Sequence, residues 1–339
     1  MKRKLSRLRK IFVIILILVL SCVVVLMALI KQPVFIKYKD ENISVPSVLS
    51  DQTNLEDHVK FLSTLDRASA KGQKEVHKYI TSQLEASGIE DEKISRETYL
   101  AGGEEYQNIR VKFGQKTSST TEKTKYIIGA HYDSFDNFPC ADDNATGVAG
   151  LLEIARVLAK TPLEDKEIEL VFYSTEEQPF FAMGKMGSSI HANNVADKEN
   201  IKLMISLEMI GYFSEEENSQ ELPLNILKFV YPSEGNFITV VSNLQNTTET
   251  KKVKNIFSTF LKRNNLITVD SMNAPDFVPG VGWSDHRNYW EFDIPAVMIT
   301  DTAFYRNKNY HTPYDTYEKL NYKKMKEVVD ATMATIFSF

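Results

Sequence analysis

The chain has 339 residues, of which 43% are hydrophobic and 25% are charged, an ordinary composition for a globular protein. All 45 acidic residues and 34 of the 40 basic residues follow Ile30, so this later part carries a net charge of −11. An acidic surface repels the phosphates of nucleic acid, so we expect no nucleic-acid partner.

The N-terminal segment has the pattern of a membrane anchor. Residues 1–10 carry six basic side chains and precede an uncharged apolar run at 11–30. Twenty helical residues extend about 30 Å, the thickness of the hydrocarbon core of a bilayer. The alternative is a cleaved signal peptide, whose apolar core is usually about 7–15 residues and ends at a small-residue site. We expect a single-pass anchor in the cell membrane, with the basic tail in the cytoplasm and the remainder outside it.

Residues 31–54 are mixed and polar, contain Pro33 and Pro46, and are predicted to form a tether to a domain at 55–339. Only two cysteines occur. Cys22 lies in the apolar run and Cys140 in the domain, so the domain cannot contain an intrachain disulfide.

Helical and strand patterns alternate through the domain. Helical spacing of apolar residues predicts helices at 58–65, 74–88, 147–160, 188–198, 250–264 and 319–339. Apolar runs predict strands at 107–114, 125–130, 168–175, 202–210, 237–243 and 295–301. Strands of continuous apolar character between helices indicate the α/β class, with a mostly parallel mixed central sheet and helices on both faces.

Five residues of metal-ligand type lie just past or near the ends of apolar, strand-like runs: His131, Asp143, Glu177, Glu208 and His311. Taken singly, each patch is more often structural. Together they supply two imidazoles and three carboxylates, which suit two zinc ions that share one bridging carboxylate. In parallel sheets, bound molecules and ions lie beyond the carboxyl ends of the strands, and these five residues are expected there. The pattern therefore predicts metal-assisted hydrolysis.

Two metals about 3.5–4 Å apart lower the pKa of a bridging water and polarise a peptide carbonyl. Asp143 lies just before a predicted helix and suits the bridging position. Glu176 is left free to take the proton from the water and pass it to the leaving amine. Asp133, two residues after His131, is placed to hold the imidazole by its other nitrogen, and Asp315 is a weaker candidate for such a supporting role.

The series HYDS, ADDNATG, STEE, LEMIG, SDH and YHTPYD resembles metallopeptidase family 28 over about residues 55–339. This family contains co-catalytic zinc aminopeptidases, glutamate carboxypeptidase and, as a divergent relative, glutaminyl cyclase. The resemblance implies a zinc exopeptidase fold and two Zn2+ ions per chain. Position by position it implies one zinc on His131 and Glu208, the other on Glu177 and His311, Asp143 as the bridge, Glu176 as the base and a cis peptide bond between Asp143 and Asn144.

Some positions depart from the family pattern. The position of Glu208 is more often Asp, and the extra methylene leaves carboxylate ligation possible. A Tyr that stabilises the oxyanion in some secreted aminopeptidases is replaced here by Val281. Tyr310, directly before His311, matches the arrangement of the glutamate carboxypeptidase branch, so we assign it the oxyanion role. The SDH stretch, residues 284–286, is expected either to shape the pocket wall or to cap a helix.

The preferred interpretation is an extracytoplasmic zinc exopeptidase that removes N-terminal residues from peptide substrates. A carboxypeptidase is an alternative that needs a basic pocket, which Arg287 or Arg306 could supply. Glutaminyl-cyclase-like activity and a catalytically silent receptor-like ectodomain are the others, but both usually lack ligands that are present here. His58, His77 and His191 lie in helical patterns and are expected at the surface, away from the site.

Overall fold

A computed structural model describes residues 2–34, 38–114, 124–163, 165–197 and 200–339, with the backbone alone for residues 2–8. Residues 35–37 of the predicted tether and Lys198, the end of a predicted helix, lie outside the described residues. The described residues form a mixed eight-stranded sheet with helices on both faces, preceded by one long apolar helix. The predicted fold class is confirmed.

The sheet has a parallel centre and antiparallel flanks. Its strands are β1 (Ile94–Ala101), β2 (Glu104–Phe113), β3 (Thr124–His131), β4 (Lys166–Tyr173), β5 (Ile201–Glu208), β6 (Phe237–Ser242), β7 (Thr268–Asn273) and β8 (Ala296–Thr300). The order across the sheet is β1-β2-β4-β3-β5-β8-β6-β7. Strands β4, β3, β5 and β8 run parallel, whereas β2 and β6 are antiparallel to their neighbours β4 and β8. The carboxyl ends of the four central strands therefore lie side by side along one edge of the sheet.

Eight α-helices accompany the sheet within the described residues. They are α1 (Lys2–Lys31), α2 (Gln52–Leu62), α3 (Ala70–Ala86), α4 (Gly147–Leu158), α5 (Gly187–Val195), α6 (Thr247–Leu261), α7 (Arg287–Trp290) and α8 (Tyr322–Ser338). Successive residues of β3 point to opposite faces, as the pleat requires. Ile128 packs in the larger core with α4 and α8, and Ile127 packs in the smaller core beside α5 and α7.

The predicted strands are all present, but β1 and β7 were not predicted. Both are edge strands, and the reason lies in their composition. The sequence ISRETYLA of β1 is largely exposed and polar, and TVDSMN of β7 is short and polar. An edge strand buries less of its surface than a central one, so it lacks the apolar run by which the others were recognised.

One expectation about the histidines is wrong. His191 is fully buried in α5, where Nδ1 is 2.6 Å from the Tyr289 hydroxyl and Nε2 is 3.5 Å from a Glu169 oxygen. His58 and His77 are half-buried and contact the hydroxyls of Tyr79 and Tyr132. The helical pattern located the three residues correctly but could not reveal that polar groups on neighbouring elements surround them.

Helix α1 ends against the edge of the sheet. The carbonyl oxygen of Lys31 accepts hydrogen bonds from Lys254 Nζ and Ser271 Oγ, both at 2.7 Å. Lys31 Nζ lies 2.9 Å from the Asp270 carboxylate in β7. Farther along the predicted tether, Ile43 is buried in the larger core. The polypeptide therefore contacts the domain from the last residue of α1.

Candidate active site

The five predicted ligands meet at the edge where the central strands end. His131 is the last residue of β3 and Glu208 the last residue of β5. Glu177 lies four residues after β4, and His311 lies in the loop after β8. Asp143 lies in the single turn Ala141–Thr146 that leads into α4. Parallel strand direction thus brings together residues that are 180 positions apart.

The ligand atoms form two groups that share Asp143. His131 Nε2 lies 3.4 Å from Asp143 Oδ1 and 3.3 Å from Glu208 Oε2. His311 Nε2 lies 3.1 Å from Asp143 Oδ2 and 3.2 Å from Glu177 Oε1. Within each group, the ligand atoms lie within 4.8 Å of one another. Each oxygen of Asp143 therefore serves a different group.

These distances fit metal ions. Ligand atoms around a tetrahedral zinc ion lie about 3.3 Å apart, because zinc bonds to nitrogen and oxygen are about 2.0–2.2 Å long. Glu177 Oε1 and His311 Nε2 are buried and face each other without hydrogen-bond geometry. Buried polar atoms are normally hydrogen-bonded, so unpaired ones that converge on one point are the arrangement of a cation cage.

The electrostatics of the cluster also favour cations. Burial lowers the pKa of His311, but the carboxylates of Asp143 and Glu177 outweigh it and raise that pKa to about 9. His131 is affected similarly, since Glu208 and Glu176 overcome burial and raise its pKa well above the usual value. Burial and the Asp143 charge raise the pKa of Glu177 to about 7. The excess of carboxylates thus draws in positive charge.

The backbone around the predicted ligands has unusual geometry. The Asp143–Asn144 bond is cis, as the family resemblance implies. Thr175, Met209 and His311 all have positive φ, at 58°, 50° and 54°. Non-glycine residues rarely adopt this left-handed region, and such residues cluster at functional sites. Two of the three adjoin Glu176 and Glu208, and the third is itself a predicted ligand.

Asp133 connects the two ligand groups. Its Oδ1 lies 3.3 Å from His131 Nδ1, and its Oδ2 accepts a 2.9 Å hydrogen bond from the backbone of Glu177. Asp315 contacts the turn that carries Asp143. Its Oδ2 accepts hydrogen bonds from the backbone nitrogens of Asp142 and Asp143, which fixes the turn that carries the shared ligand.

Two supporting residues were not assigned these roles from the sequence. Ser284 Oγ donates a 2.7 Å hydrogen bond to Glu208 Oε2 and thereby orients this carboxylate. Arg67 is fully buried, and its guanidinium donates to the carbonyls of Tyr132, Asp133, Pro139 and Cys140. No local pattern signals either role, because each contact joins residues at least 65 positions apart.

A cleft opens beside the ligands. It is lined by Asp143, Glu176, Glu177, Gln178, Phe181, Glu208, Trp283, Tyr310 and His311. Tyr310 is stacked on the ring of His311, with a centroid distance of 3.8 Å. Of the SDH stretch, His286 Nε2 contacts the carbonyl of Val281, and neither it nor Asp285 is among the described residues that line the cleft.

A second, apolar pocket adjoins the cleft and shares Glu208, Trp283 and Tyr310 with it. Its remaining walls are largely apolar or aromatic and include Leu222, Val241, Met272, Val281, Met298 and Phe304. An elongated ligand at the cluster could thus place an apolar group into this pocket.

Comparison with known proteins decides the family. The profile of Peptidase family M28 matches residues 108–336. The chain belongs to this family. The uncharacterized protein YfbL of Escherichia coli is 44% identical over 252 residues, which cover 72% of this chain and 74% of YfbL.

Solved structures of the M28 type share the fold. The LapA aminopeptidase of Legionella pneumophila superposes with a TM-score of 0.64 at 18% identity, covering 85% of this chain and 71% of LapA. BSAP, a zinc aminopeptidase from Bacillus subtilis, gives a TM-score of 0.52 at 24% identity, covering 70% of this chain and 50% of BSAP.

Proposed function

We propose that this M28 peptidase is a zinc-dependent aminopeptidase with two zinc ions. His131 and Glu208 would hold one ion, Glu177 and His311 the other, and Asp143 would bridge them. The observation that supports this best is the contact of the two Asp143 oxygens with two different histidines, at 3.4 and 3.1 Å. When bound, the ions would supply Lewis-acid polarisation of the peptide carbonyl and acidify water.

Glu176 is the proposed general base. It is buried and lines the cleft beside Glu177. Burial raises the pKa of Glu176 well above its usual value, and Glu177 and Glu208 add to the rise, although His131 opposes it. A carboxylate with a raised pKa is suited to take a proton from water and deliver it to the departing amine. Tyr310 also lines the cleft, and its hydroxyl would donate a hydrogen bond to the developing oxyanion.

The cleft offers no cation for a substrate carboxylate among its described lining residues. Four carboxylates line it, and none of its described lining residues is Lys or Arg. Arg306 is buried against Gln220 and the Tyr212 carbonyl, and Arg287 lines a separate depression with Phe277. A carboxypeptidase would need a cation near the scissile bond to bind the substrate carboxylate, so this lining favours an aminopeptidase.

The apolar pocket suggests which first residue is released. Because its walls are largely apolar or aromatic, we propose a preference for an apolar or aromatic side chain in that residue. A glutaminyl-cyclase-like reaction or a silent receptor-like domain is disfavoured by the completeness of the ligand set, which includes both histidines and all three carboxylates.

The location of the enzyme is proposed from α1. The segment Arg9–Lys31 is long and apolar enough to cross a membrane, and none of its residues is buried in the protein. We propose that it is an uncleaved single-pass anchor, with the basic tail in the cytoplasm and the peptidase domain outside. A cleaved signal peptide is the alternative, since it is also an apolar segment near the N-terminus.

A substrate screen tests the proposed activity. Purified full-length protein should release chromogen from aminoacyl substrates with apolar side chains, lose this activity with chelator, and recover it with zinc. Glu176→Gln should retain zinc and lower turnover by at least about 10²-fold, since a general base contributes about 10²–10⁴. Near-normal turnover in this variant would refute the assignment of the base.

The same preparation separates the alternatives. Hydrolysis only from the carboxyl end of N-blocked peptides would replace the aminopeptidase with a carboxypeptidase. Cyclisation of peptides with N-terminal glutamine would indicate the cyclase reaction, and absence of bound zinc would favour the silent ectodomain.

A further inference from the structure

A short apolar turn protrudes from the domain near the end of α1. We define the apolar turn as residues 224–229, which include a 3-10 helix at Asn225–Phe229. Leu224, Ile226 and Phe229 are 57%, 51% and 89% exposed, whereas Leu227 is buried. Of the four apolar side chains of the turn, Leu227 therefore packs into the domain and the other three are exposed to solvent. Exposed apolar groups gathered in this way mark an interaction surface.

The apolar turn is joined directly to the end of α1. Lys31 Nζ donates a hydrogen bond to the carbonyl of Val230, the residue after the turn. The same amine lies 4.8 Å from the centre of the Tyr231 ring, and the Tyr231 hydroxyl bonds to the Ser271 carbonyl in β7. Because Lys31 is the last residue of α1, the turn lies where the apolar helix meets the domain.

Given that α1 spans the bilayer, as proposed above, we infer that the apolar turn inserts into the interfacial region of the same membrane. The apolar run ends at Ile30, so Lys31 lies at the level of the headgroups. The contacts of Lys31 keep the turn at that level, where exposed Leu, Ile and Phe side chains are favourably buried. Lys228 is exposed within the turn and can extend its ammonium group to the lipid phosphates.

This contact would connect the membrane to the substrate site. Leu222 and Pro223, directly before the turn, line the apolar pocket beside Glu208. The bilayer would therefore support one wall of the pocket and hold the cleft close to the membrane surface. The partner is a lipid surface, and the second contact fixes how the domain is oriented on it.

Depth-dependent quenching tests the inference. The full-length chain carrying Phe229→Cys in a Cys22→Ser background is labelled with an NBD fluorophore, since Cys140 is buried and protected. In vesicles that contain lipids with a shallow nitroxide, we expect quenching of about twofold or more at position 229. The matched control is Leu100→Cys, an apolar position that is 65% exposed on β1, at the opposite edge of the sheet. It should show little quenching.

A label on native Cys22 separates the two proposals. Quenching of Cys22 by a deep nitroxide, without greater quenching at 229 than at 100, would overturn insertion of the turn and leave the anchor intact. Lack of quenching at Cys22 would refute the anchor itself. Pyrene excimers at 229 without lipid quenching would assign this surface to a second copy of the chain and overturn the inference.

Discussion

The Glu208 carboxylate is held in place by a residue from a distant part of the chain. Glu208 occupies the last position of β5, and its Oε2 contacts both His131 Nε2 at 3.3 Å and Ser284 Oγ at 2.7 Å. The sequence predicted that a longer carboxylate could still act as a ligand, but it did not predict the hydroxyl that holds it. Ser284 is 76 positions away, and only the tertiary fold brings the two together.

Removal of this hydroxyl should weaken metal binding. In Ser284→Ala, Glu208 loses the hydrogen bond that orients it, so we expect zinc affinity to fall about 10-fold or more, as for other groups that position a ligand. Competition with a chromogenic chelator measures the change. Ser242→Ala is the matched control, because the buried Ser242 hydroxyl donates to the carbonyl of Ala296 and not to a carboxylate of the cluster. Equal affinity in the two variants would contradict the role of Ser284.

Buried His286 should make stability depend on pH. Burial lowers the pKa of His286 to about 3, from an ordinary value of 6.5. Below pH 6.5 the unfolded chain binds a proton that the folded chain excludes, so the free energy of unfolding falls as pH decreases from 6.5 toward 3. In His286→Gln this contribution is absent. Thermal unfolding of wild type and variant at pH 7 and pH 5 should show a smaller pH effect in the variant.

At the scale of elements, apolar runs were sufficient to predict the central strands, because strands buried on both faces are continuously apolar. They were insufficient for β1 and β7, whose polar residues are tolerated at the sheet edges. The positions of the ligands beyond the central strands could be predicted from the parallel arrangement. The conformations of the loops that hold these residues could not be predicted. A buried residue such as Arg67 fixes a loop by donating hydrogen bonds to backbone carbonyls, and such contacts have no sequence signature.

Arg67 should stabilise the loop at 132–140, which connects His131 to the turn that carries Asp143. In Arg67→Met, the carbonyls of Tyr132 and Cys140 lose a charged donor, and we expect a loss of about 3 kcal/mol in the free energy of unfolding. Denaturant unfolding measures this change. Arg96→Met is the control, because its ion pair with Asp91 is exposed and should contribute less than about 1 kcal/mol. Similar losses in both would refute the role.

At the scale of the whole molecule, stability and metal content should be linked. A zinc ion that binds only the folded chain adds about 2.7 kcal/mol at a concentration 100 times its Kd. The Tm should therefore rise with zinc and fall with chelator. Asp143→Ala removes the residue shared by both ligand groups, so its Tm should respond little to zinc. Glu291→Ala, a surface carboxylate in a separate depression, should respond as wild type does.

The two ligand groups lie at different depths, which has a kinetic consequence. The side chain of His131 is 1% exposed, and that of His311 is 23% exposed. The outer ion of the proposed pair would exchange with solvent first, because its histidine is the one that solvent and chelator can reach. Chelation followed in time should thus be biphasic and pass through a half-loaded form that keeps the inner ion on His131 and Glu208.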